Sequence, residues 1–302
     1  MDYKIKDKYI TEFLEDADCF FHPGAQFEVC LTETKLLNLP EPLKIVQCSE
    51  CKLKYLNPRI NPYGYDLLYK EDYYTKGSGS AGVAYKDYAF EKIAYFTGKL
   101  KFIESIYPLK GSLLDIGASM GHFLKIAKDL GWTIDGIDLS KWASDYAKEN
   151  FNIDIFVGSL EDYIKENQEF DVITSFHLLE HLSNPLETIK IMNSILKPGG
   201  ILMIEVPNQF NDLFTKLSLP YQKYKAKQSN PTIVHTYFFN VKILTYMIRQ
   251  NGFEIIKINT WRKGYPIYGK NLFTKFIKKV INNIGNIFNM GDIIEITARK
   301  IK

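Results

Sequence analysis

The regular alternation of short apolar segments with helical segments constrains the fold of this chain more than any other feature. Most of the apolar segments have the length of a strand, and helical patterns separate them. Such alternation predicts a mostly parallel sheet with helices on both faces, because parallel strands need crossover connections. The seven predicted strands are 112–116, 133–137, 153–157, 170–176, 201–206, 253–260 and 293–298, and the predicted helices include 121–130, 141–150, 185–196 and 241–250.

The chain divides into a leader and a core domain with a boundary near residue 80. Residues 1–80 hold all four cysteines and end in a glycine- and serine-rich hinge at 77–80. A helical pattern from 84 to 107 leads into the core domain, which takes residues 81–302. Within that domain the polar and aromatic stretch 209–234 is too long for an ordinary turn, and we interpret it as a candidate lid.

Composition limits the classes of partner. Lysine and arginine exceed the acidic residues by only +3, which is too small a balance for a protein that binds mainly nucleic acid. No apolar run approaches the roughly 18 residues of a membrane-spanning helix, and the charged N-terminus does not have the pattern of a signal peptide. We therefore expect a cytoplasmic protein without an integral membrane segment that acts on a small-molecule acceptor. The sequence leaves a homodimer open.

A glycine loop lies where the first strand turns into the first helix. Gly117 and Gly121 are spaced as Gly-x-x-x-Gly, so the Gly-x-Gly-x-x-Gly fingerprint of nicotinamide dehydrogenases is absent. Asp138 ends the next strand, at the edge where open α/β sheets bind nucleotides. A carboxylate in that position can accept hydrogen bonds from both hydroxyls of a ribose.

Residues 114–124, LDIGASMGHFL, and 136–140, GIDLS, resemble the first two motifs of class I S-adenosylmethionine-dependent methyltransferases. The similarity extends over about residues 84–260. It implies a Rossmann-like fold, S-adenosylmethionine as cofactor and a methyl-transfer activity. The later segments that agree in order and spacing are 158–162, 170–173, 177–181, 196–200 and 205–208.

The resemblance also implies roles for individual residues in cofactor binding. The loop after the first strand would hold the methionine part, Asp138 would bind the ribose, and the residues after the second and third strands would line the adenine. Ser119 stands where the family usually has glycine, and we expect its φ to stay negative, with altered loop packing but retained binding. The implied cofactor-binding residues are Asp115, Gly117, Ala118, Ser119, Gly121, Asp138, Leu139, Leu160, Glu161 and His177.

Histidines that follow the fourth core strand are candidates for a general base. His177 and His181 come after strand 170–176, and the pair Glu180–His181 resembles the pair found there in small-molecule O-methyltransferases. We take His181 as the first choice for the catalytic base, with Glu180 beside it, and His235 as the second choice. The pattern His-x-x-Glu-His also matches inverted zincin metalloproteases, but such a site needs a long helix, whereas the segment lies in a loop between the strand and Pro185.

The leader contains two half-sites for a metal ion. Cys48 and Cys51 form a C-x-x-C knuckle, and Cys19 and His22 form a C-x-x-H pair. Together they predict a structural zinc site of the Cys3His type, in which Cys30 could replace His22. The alternative is a set of unmetallated thiols. Residues 48–59 and 68–74 resemble the zinc-binding leader of bacterial sugar and surface-polysaccharide methyltransferases, in which the first half-site is usually a second C-x-x-C.

The leading hypothesis for function is O-methylation of a sugar or sugar nucleotide in surface polysaccharide biosynthesis, and its acceptor is implied by resemblance only. A second hypothesis keeps the cofactor but methylates a carbon or nitrogen of an amino sugar, a keto sugar or a small aromatic. A third is an RNA-binding module, which the small net charge of +3 disfavours. A fourth is a non-catalytic adaptor on the same fold, for which Ser119 is the only support.

Overall fold

The computed structural model describes residues 11–61, 64, 89–164, 168–211, 235–261 and 288–301. Three segments singled out by the sequence lie outside the described residues: the hinge 77–80, the motif 68–74 and residues 212–234 of the candidate lid. The domain boundary near residue 80 therefore stays a prediction.

The leader forms a small antiparallel sheet. Strand β2 pairs with β3, and β3 pairs with β4, while β1 pairs separately with β5. One short helix, α1, connects β2 to β3. The leader elements are β1 Leu14–Glu15, β2 Phe27–Val29, α1 Leu31–Leu36, β3 Lys44–Cys48, β4 Lys54–Asn57 and β5 Arg59–Ile60.

The core domain contains the seven-stranded, mostly parallel sheet that the sequence predicts. Its strand order is β12-β13-β10-β9-β6-β7-β8. Strand β13 runs antiparallel to both of its neighbours, and the other pairs of the sheet are parallel. The strands that follow the leader are β6 Ser112–Ile116, β7 Thr133–Asp138, β8 Phe156–Val157, β9 Phe170–Phe176, β10 Leu196–Pro207, β11 Tyr237–Phe238, β12 Phe253–Trp261 and β13 Ile293–Lys300.

Helices cover both faces of this sheet because successive strand residues point to opposite sides. Leu113 and Leu114 of β6 enter two different hydrophobic clusters, one packed by α2 and α3 and the other by α6 and α7. The helices of the core are α2 Ala89–Ile106, α3 His122–Asp129, α4 Lys141–Phe151, α5 Leu160–Tyr163, α6 Pro185–Ser194 and α7 Val241–Gln250.

Polar side chains begin most of these helices where the sequence places them. Ser140 accepts a hydrogen bond from the Ala143 N–H at the start of α4, and Asn240 accepts one from the Ile243 N–H at the start of α7. Such caps satisfy N–H groups that have no partner within the helix. Within the described residues, no helix combines the length and apolar character needed to span a membrane.

Two strands differ from their predicted bounds by more than two residues. The predicted strand 153–157 is reduced to Phe156–Val157, which pairs only with β7 at the exposed edge of the sheet. Strand β10 begins at Leu196 rather than residue 201, because the chain pairs with β9 at Leu196, leaves the register and rejoins it at Ile201. Gly199, with φ of +77°, lies inside that irregularity.

The leader sheet takes one of its strands from the far end of the chain. Strand β11 pairs antiparallel with β4, which gives the order β11-β4-β3-β2. Tyr55 of β4 and Phe239, which follows β11, are fully buried in the same cluster as α6 and α7. The leader is thus packed against the core on the face covered by those two helices.

Candidate active site

The loop between β6 and α3 depends on two glycines. Gly117 has φ of +79° and Gly121 has φ of +72°, a region that other residues enter with strain. A Cβ at Gly117 would lie 3.3 Å from the Leu178 side chain, and one at Gly121 would lie 3.0 Å from Ala147 Cβ. The loop therefore brings its backbone close to its neighbours and ends at the N-terminus of α3, where N–H groups favour anionic groups.

Asp138 holds this loop from the next strand. Its Oδ2 accepts a hydrogen bond from the Ser119 N–H at 2.7 Å, and its Oδ1 accepts one from the Ser140 N–H at 2.8 Å. Burial raises the pKa of Asp138, and the two N–H groups act in the opposite direction. A carboxylate has about four acceptor positions, so two remain for the hydroxyls of a ribose. Leu139, which follows directly, is 59% exposed and offers an apolar face for a base.

Ser119 departs from its expected conformation. Its φ is +51°, so the prediction of a negative φ is wrong. The left-handed backbone directs the Ser119 N–H to the Asp138 carboxylate, and the hydrogen bond offsets the strain that a Cβ suffers there. The Ser119 hydroxyl oxygen is buried without a hydrogen-bond partner among the described residues.

The other residues predicted to bind the cofactor lie around the same sheet edge. Asp115 is buried, accepts a hydrogen bond from Thr174 Oγ1 at 2.7 Å, and has its pKa raised to about 7 by burial. Leu160 is buried and Glu161 exposed in the first turn of α5, which follows β8. Their contacts with a cofactor stay predictions, as does that of Ala118.

His177 directly follows β9 and lies in a strained conformation between two carboxylates. Its φ is +55°, and its N–H donates to the Glu205 carbonyl at 2.8 Å. Its Nε2 lies 3.1 Å from Glu205 Oε1, and its Nδ1 lies 3.5 Å from Glu180 Oε1. Although burial opposes charge, these carboxylates raise the pKa of His177 to about 10. The ring is therefore an imidazolium at neutral pH and is unsuited to act as a base.

Glu180, His181 and His235 lie close together next to His177 at the carboxyl edge of the sheet. The His181 and His235 ring centroids are 4.8 Å apart, and His181 Nε2 lies 3.8 Å from Glu180 Oε1. His235 Nδ1 lies 3.0 Å from Gln209 Oε1, and burial lowers the pKa of His235 to about 3, so its ring is neutral. One donor atom from each of the three residues fits within 4.8 Å, a set that could take a divalent cation as well as a proton.

The local backbone conformation argues against the metalloprotease alternative. Glu180 and His181 lie in a three-residue 3-10 turn, Leu179–His181, rather than on a long helix. His177 directly follows the preceding strand, Phe170–Phe176, and Glu180 is 1% exposed. The segment is thus a strand end followed by a tight turn, as the sequence predicts.

A buried ionic cluster behind His177 was not predicted. Lys99 of α2 is 6% exposed and lies 2.6 Å from Glu205 Oε2, and it also pairs with Glu295 of β13. The Tyr95 hydroxyl donates to the Glu205 carboxylate at 2.5 Å. Burial opposes ionisation, but His177 and Lys99 lower the pKa of Glu205 to about 2. The signal in the sequence was an acid inside an apolar strand, which needs a buried cation.

The four predicted zinc ligands come together in the leader. One donor atom from each of Cys19, His22, Cys48 and Cys51 lies within 4.8 Å of the others, and Cys30 is not part of that group. Cys19 Sγ lies 3.4 Å from Cys51 Sγ, and His22 Nδ1 lies 3.9 Å from both Cys19 Sγ and Cys48 Sγ. A tetrahedron with Zn–S bonds of about 2.3 Å has edges of about 3.8 Å, so the donors fit zinc.

Comparisons with known proteins indicate a methyltransferase domain. Residues 85–258, more than half of the chain, match a family model described as a methyltransferase domain. Ubiquinone biosynthesis O-methyltransferase of Coxiella burnetii is 34% identical over 117 residues, which are 37% of this chain and 50% of that protein. The enzyme of the same name from Thiobacillus denitrificans is 30% identical over 165 residues, 52% of this chain and 70% of that protein.

The chain spans about half the length of the first of these curated relatives. Among solved structures, a possible histamine N-methyltransferase from Thermotoga maritima, described as dependent on S-adenosylmethionine, superposes with a TM-score of 0.50. It is 18% identical, and the match covers 72% of this chain and 94% of that one. At this identity the likeness shows the fold alone.

Proposed function

This chain belongs to the family of class I S-adenosylmethionine-dependent methyltransferase domains, and from that premise we propose that it methylates a hydroxyl group of a small acceptor. The observation that carries the proposal is the meeting of Glu180, His181 and His235 at the carboxyl edge of the sheet. A hydroxyl acceptor needs a base at the reacting atom, and imidazole is matched to that task near neutral pH.

The residues at the loop fit the cofactor. Residues 117–121 have no side chain at the two left-handed glycines, so the backbone there is open to a ligand. Asp138 keeps two acceptor positions for a ribose. When bound, S-adenosylmethionine supplies an activated methyl group on a sulfonium. The loop and Asp138 would orient that group, and the positively charged His177 would be held away from it by Glu205 and Glu180. Positioning contributes much of the rate in such displacements.

His181 is the residue we assign as the base. Its Nε2 lies 3.8 Å from Oε1 of the buried Glu180 carboxylate, which also pairs with His177 Nδ1 at 3.5 Å. As His181 takes the acceptor proton, that carboxylate would stabilise the imidazolium that forms. His235 is neutral and contacts Gln209. It would lie beside His181 at the place where the acceptor molecule binds.

We propose a sugar or sugar nucleotide as the acceptor. The support is the leader, whose CSECKLKYLNPR segment resembles that of sugar methyltransferases, and whose Cys/His donors converge. The curated relatives favour a second candidate, an aromatic hydroxyl of a quinone precursor, because both are named for ubiquinone biosynthesis. Incubating the protein with labelled cofactor and a matched panel of sugar nucleotides and catechols, followed by mass spectrometry, decides between them.

We further propose that Cys19, His22, Cys48 and Cys51 hold a structural zinc ion, because a segment this small gains folding energy from a metal. Metal analysis of purified protein should find about one zinc per chain. Cys30→Ser should keep the metal, whereas Cys48→Ser should lose it. Protein that folds without metal would remove this assignment.

The base assignment is tested by His181→Ala. We expect cofactor affinity to stay within twofold, because His181 lies on the acceptor side, and turnover to fall at least about a hundredfold. His235→Ala, in which the second imidazole alone is lost, should keep more activity. Full turnover in His181→Ala together with loss of activity in His235→Ala would transfer the role to His235.

A further inference from the structure

Strand β11 connects the leader to the turn that carries the proposed base. Its Tyr237 pairs with Tyr55 of β4. The preceding Thr236 accepts a hydrogen bond from the Leu56 N–H of the leader at 2.8 Å and donates its own N–H to the Glu180 carbonyl at 2.7 Å. A single buried residue next to His235 therefore bonds to both the leader and the turn.

The Tyr237 side chain also connects the leader to the turn that carries His181. Its hydroxyl lies 3.1 Å from the Asp18 carbonyl and 3.2 Å from the Ser183 carbonyl, and it accepts from Arg59 Nη1 at 3.4 Å. Asp18 precedes the zinc-ligand candidate Cys19, and Ser183 comes two residues after His181. Arg59 Nη1 also donates to the Ser183 carbonyl at 2.8 Å. The side chain is 2% exposed, so these bonds exchange little with water.

Ring packing holds the same tyrosine from the leader side. Phe20, between Cys19 and His22, lies edge-on against Tyr237 with centroids 4.8 Å apart. The Tyr55 ring of β4 lies tilted against the Tyr237 ring, with the two ring centroids 6.2 Å apart. A shift of the segment that carries Cys19 and His22 would therefore move the Tyr237 ring and, with it, the backbone next to His235.

We propose that Tyr237 is a positioning residue through which the cysteine-histidine module of the leader sets the places of His181 and His235. This inference rests on the proposed function of those histidines as the acceptor side of the site. The cofactor loop has no such bond to the leader among the described residues, since its backbone N–H groups donate to the Ile137 carbonyl and the Asp138 carboxylate. The module would thus act on the acceptor half of the reaction and leave the cofactor half unchanged.

The test is Tyr237→Phe in the full chain, which removes the hydroxyl and keeps the ring. The matched control is Tyr107→Phe, because the Tyr107 hydroxyl also forms a hydrogen bond within the protein, to Asp171 Oδ1 at 2.6 Å, but at the opposite edge of the sheet. We expect kcat to fall about 10- to 100-fold in Tyr237→Phe, on the scale of a small misplacement of a catalytic group. The Kd for S-adenosylmethionine should stay within twofold, and Tyr107→Phe should match the unmodified protein in both.

A second readout is independent of turnover. In protein labelled with 15N-histidine, Tyr237→Phe should move the imidazole signals of His181 and His235 and leave that of His122 in place; Tyr107→Phe should move none of these. Arg59→Met, which removes the neighbouring bonds to Ser183 and Tyr237, should move the same two signals, and the double variant should show less than the sum of the two effects on kcat.

The outcomes separate this inference from the function on which it rests. If His181→Ala keeps full activity but the two imidazole signals still move in Tyr237→Phe, the base assignment fails and the positioning role stands. Unchanged imidazole signals in Tyr237→Phe, or equal changes in Tyr107→Phe, would overturn the positioning role. A loss of cofactor affinity that matches the loss of kcat would also overturn it, since the effect would then be a general one.

Discussion

Asp138 makes the sharpest prediction about cofactor binding, because its two carboxylate oxygens already have defined partners. In the structure each oxygen accepts one backbone N–H, from Ser119 and from Ser140. Both N–H groups belong to the segments that would surround the cofactor. Asp138→Ala therefore removes the proposed acceptors for the ribose and also releases the loop, whereas Asp138→Asn keeps the shape and one of the two backbone bonds.

The magnitude follows from the kind of bond that is lost. Hydrogen bonds to a charged group contribute about 1.5 to 3 kcal/mol, which corresponds to an increase of about 10- to 150-fold in Kd. We expect Asp138→Ala to show this loss of affinity and Asp138→Asn a smaller one. Both variants should also unfold at lower denaturant concentration, because at least one buried N–H group loses its acceptor.

The assay is calorimetric titration with S-adenosylmethionine and with its demethylated product, alongside urea unfolding of each variant. Asp154→Ala is the control, since its side chain is 84% exposed and pairs with the surface residue Lys148. It should change neither measurement. Affinity within twofold of the original in both Asp138 variants, with the expected loss of stability, would refute the ribose assignment and leave Asp138 as a structural residue of the loop.

Further predictions concern the strain and charge described above. Ser119→Gly should raise the free energy of unfolding by about 0.5 to 1 kcal/mol. The strain of a serine in left-handed backbone at φ of +51° exceeds the entropy that a more flexible glycine loses on folding. A variant that is less stable in urea would contradict this. Burial opposes ionisation of Asp171, but Lys197 holds its pKa below the ordinary value, so its stabilisation is present above pH of about 4 and is lost as pH falls below that. Asp171→Asn should thus destabilise by about 2 kcal/mol at pH 7 and by less at pH 3, whereas an equal loss at both would be inconsistent with the ion pair. Lys99→Met should destabilise by about 3 to 5 kcal/mol because two buried carboxylates lose their cation, and adding Glu295→Gln should restore part of that loss; no restoration in thermal or urea unfolding would argue against the cluster.

Much of the core fold could be predicted because its signals are local. The bounds of β6, β9 and α7 agree with the apolar patterns at 112–116, 170–176 and 241–250. Each depends on side chains within one or two turns of the chain, and on caps such as Asn240. The same holds for the glycines of the loop, since the strand-to-helix turn itself requires left-handed backbone at Gly117 and Gly121.

The parts that were missed depend on pairs of residues far apart in the chain. Lys99 reads as an ordinary surface lysine until β13 and β10 bring two acids against it, Glu295 and Glu205. Ser119 was expected at negative φ because nothing next to it in the sequence shows that its N–H must meet Asp138 on another strand. For both Lys99 and Ser119, the contact that fixes the conformation joins residues from different elements of the fold.

Periodicity, capping and ligand spacing act over short distances, which is why most strands and helices of the core, the glycine loop and the two metal half-sites of the leader could be predicted from the residues alone. By contrast, the contact between His235 and His181 and the pairing of Tyr237 with the leader sheet arise from long-range packing that no local pattern predicts. Those contacts depend on how a sheet orders its strands and where its connections return, and burial and hydrogen bonding over the whole chain select that arrangement.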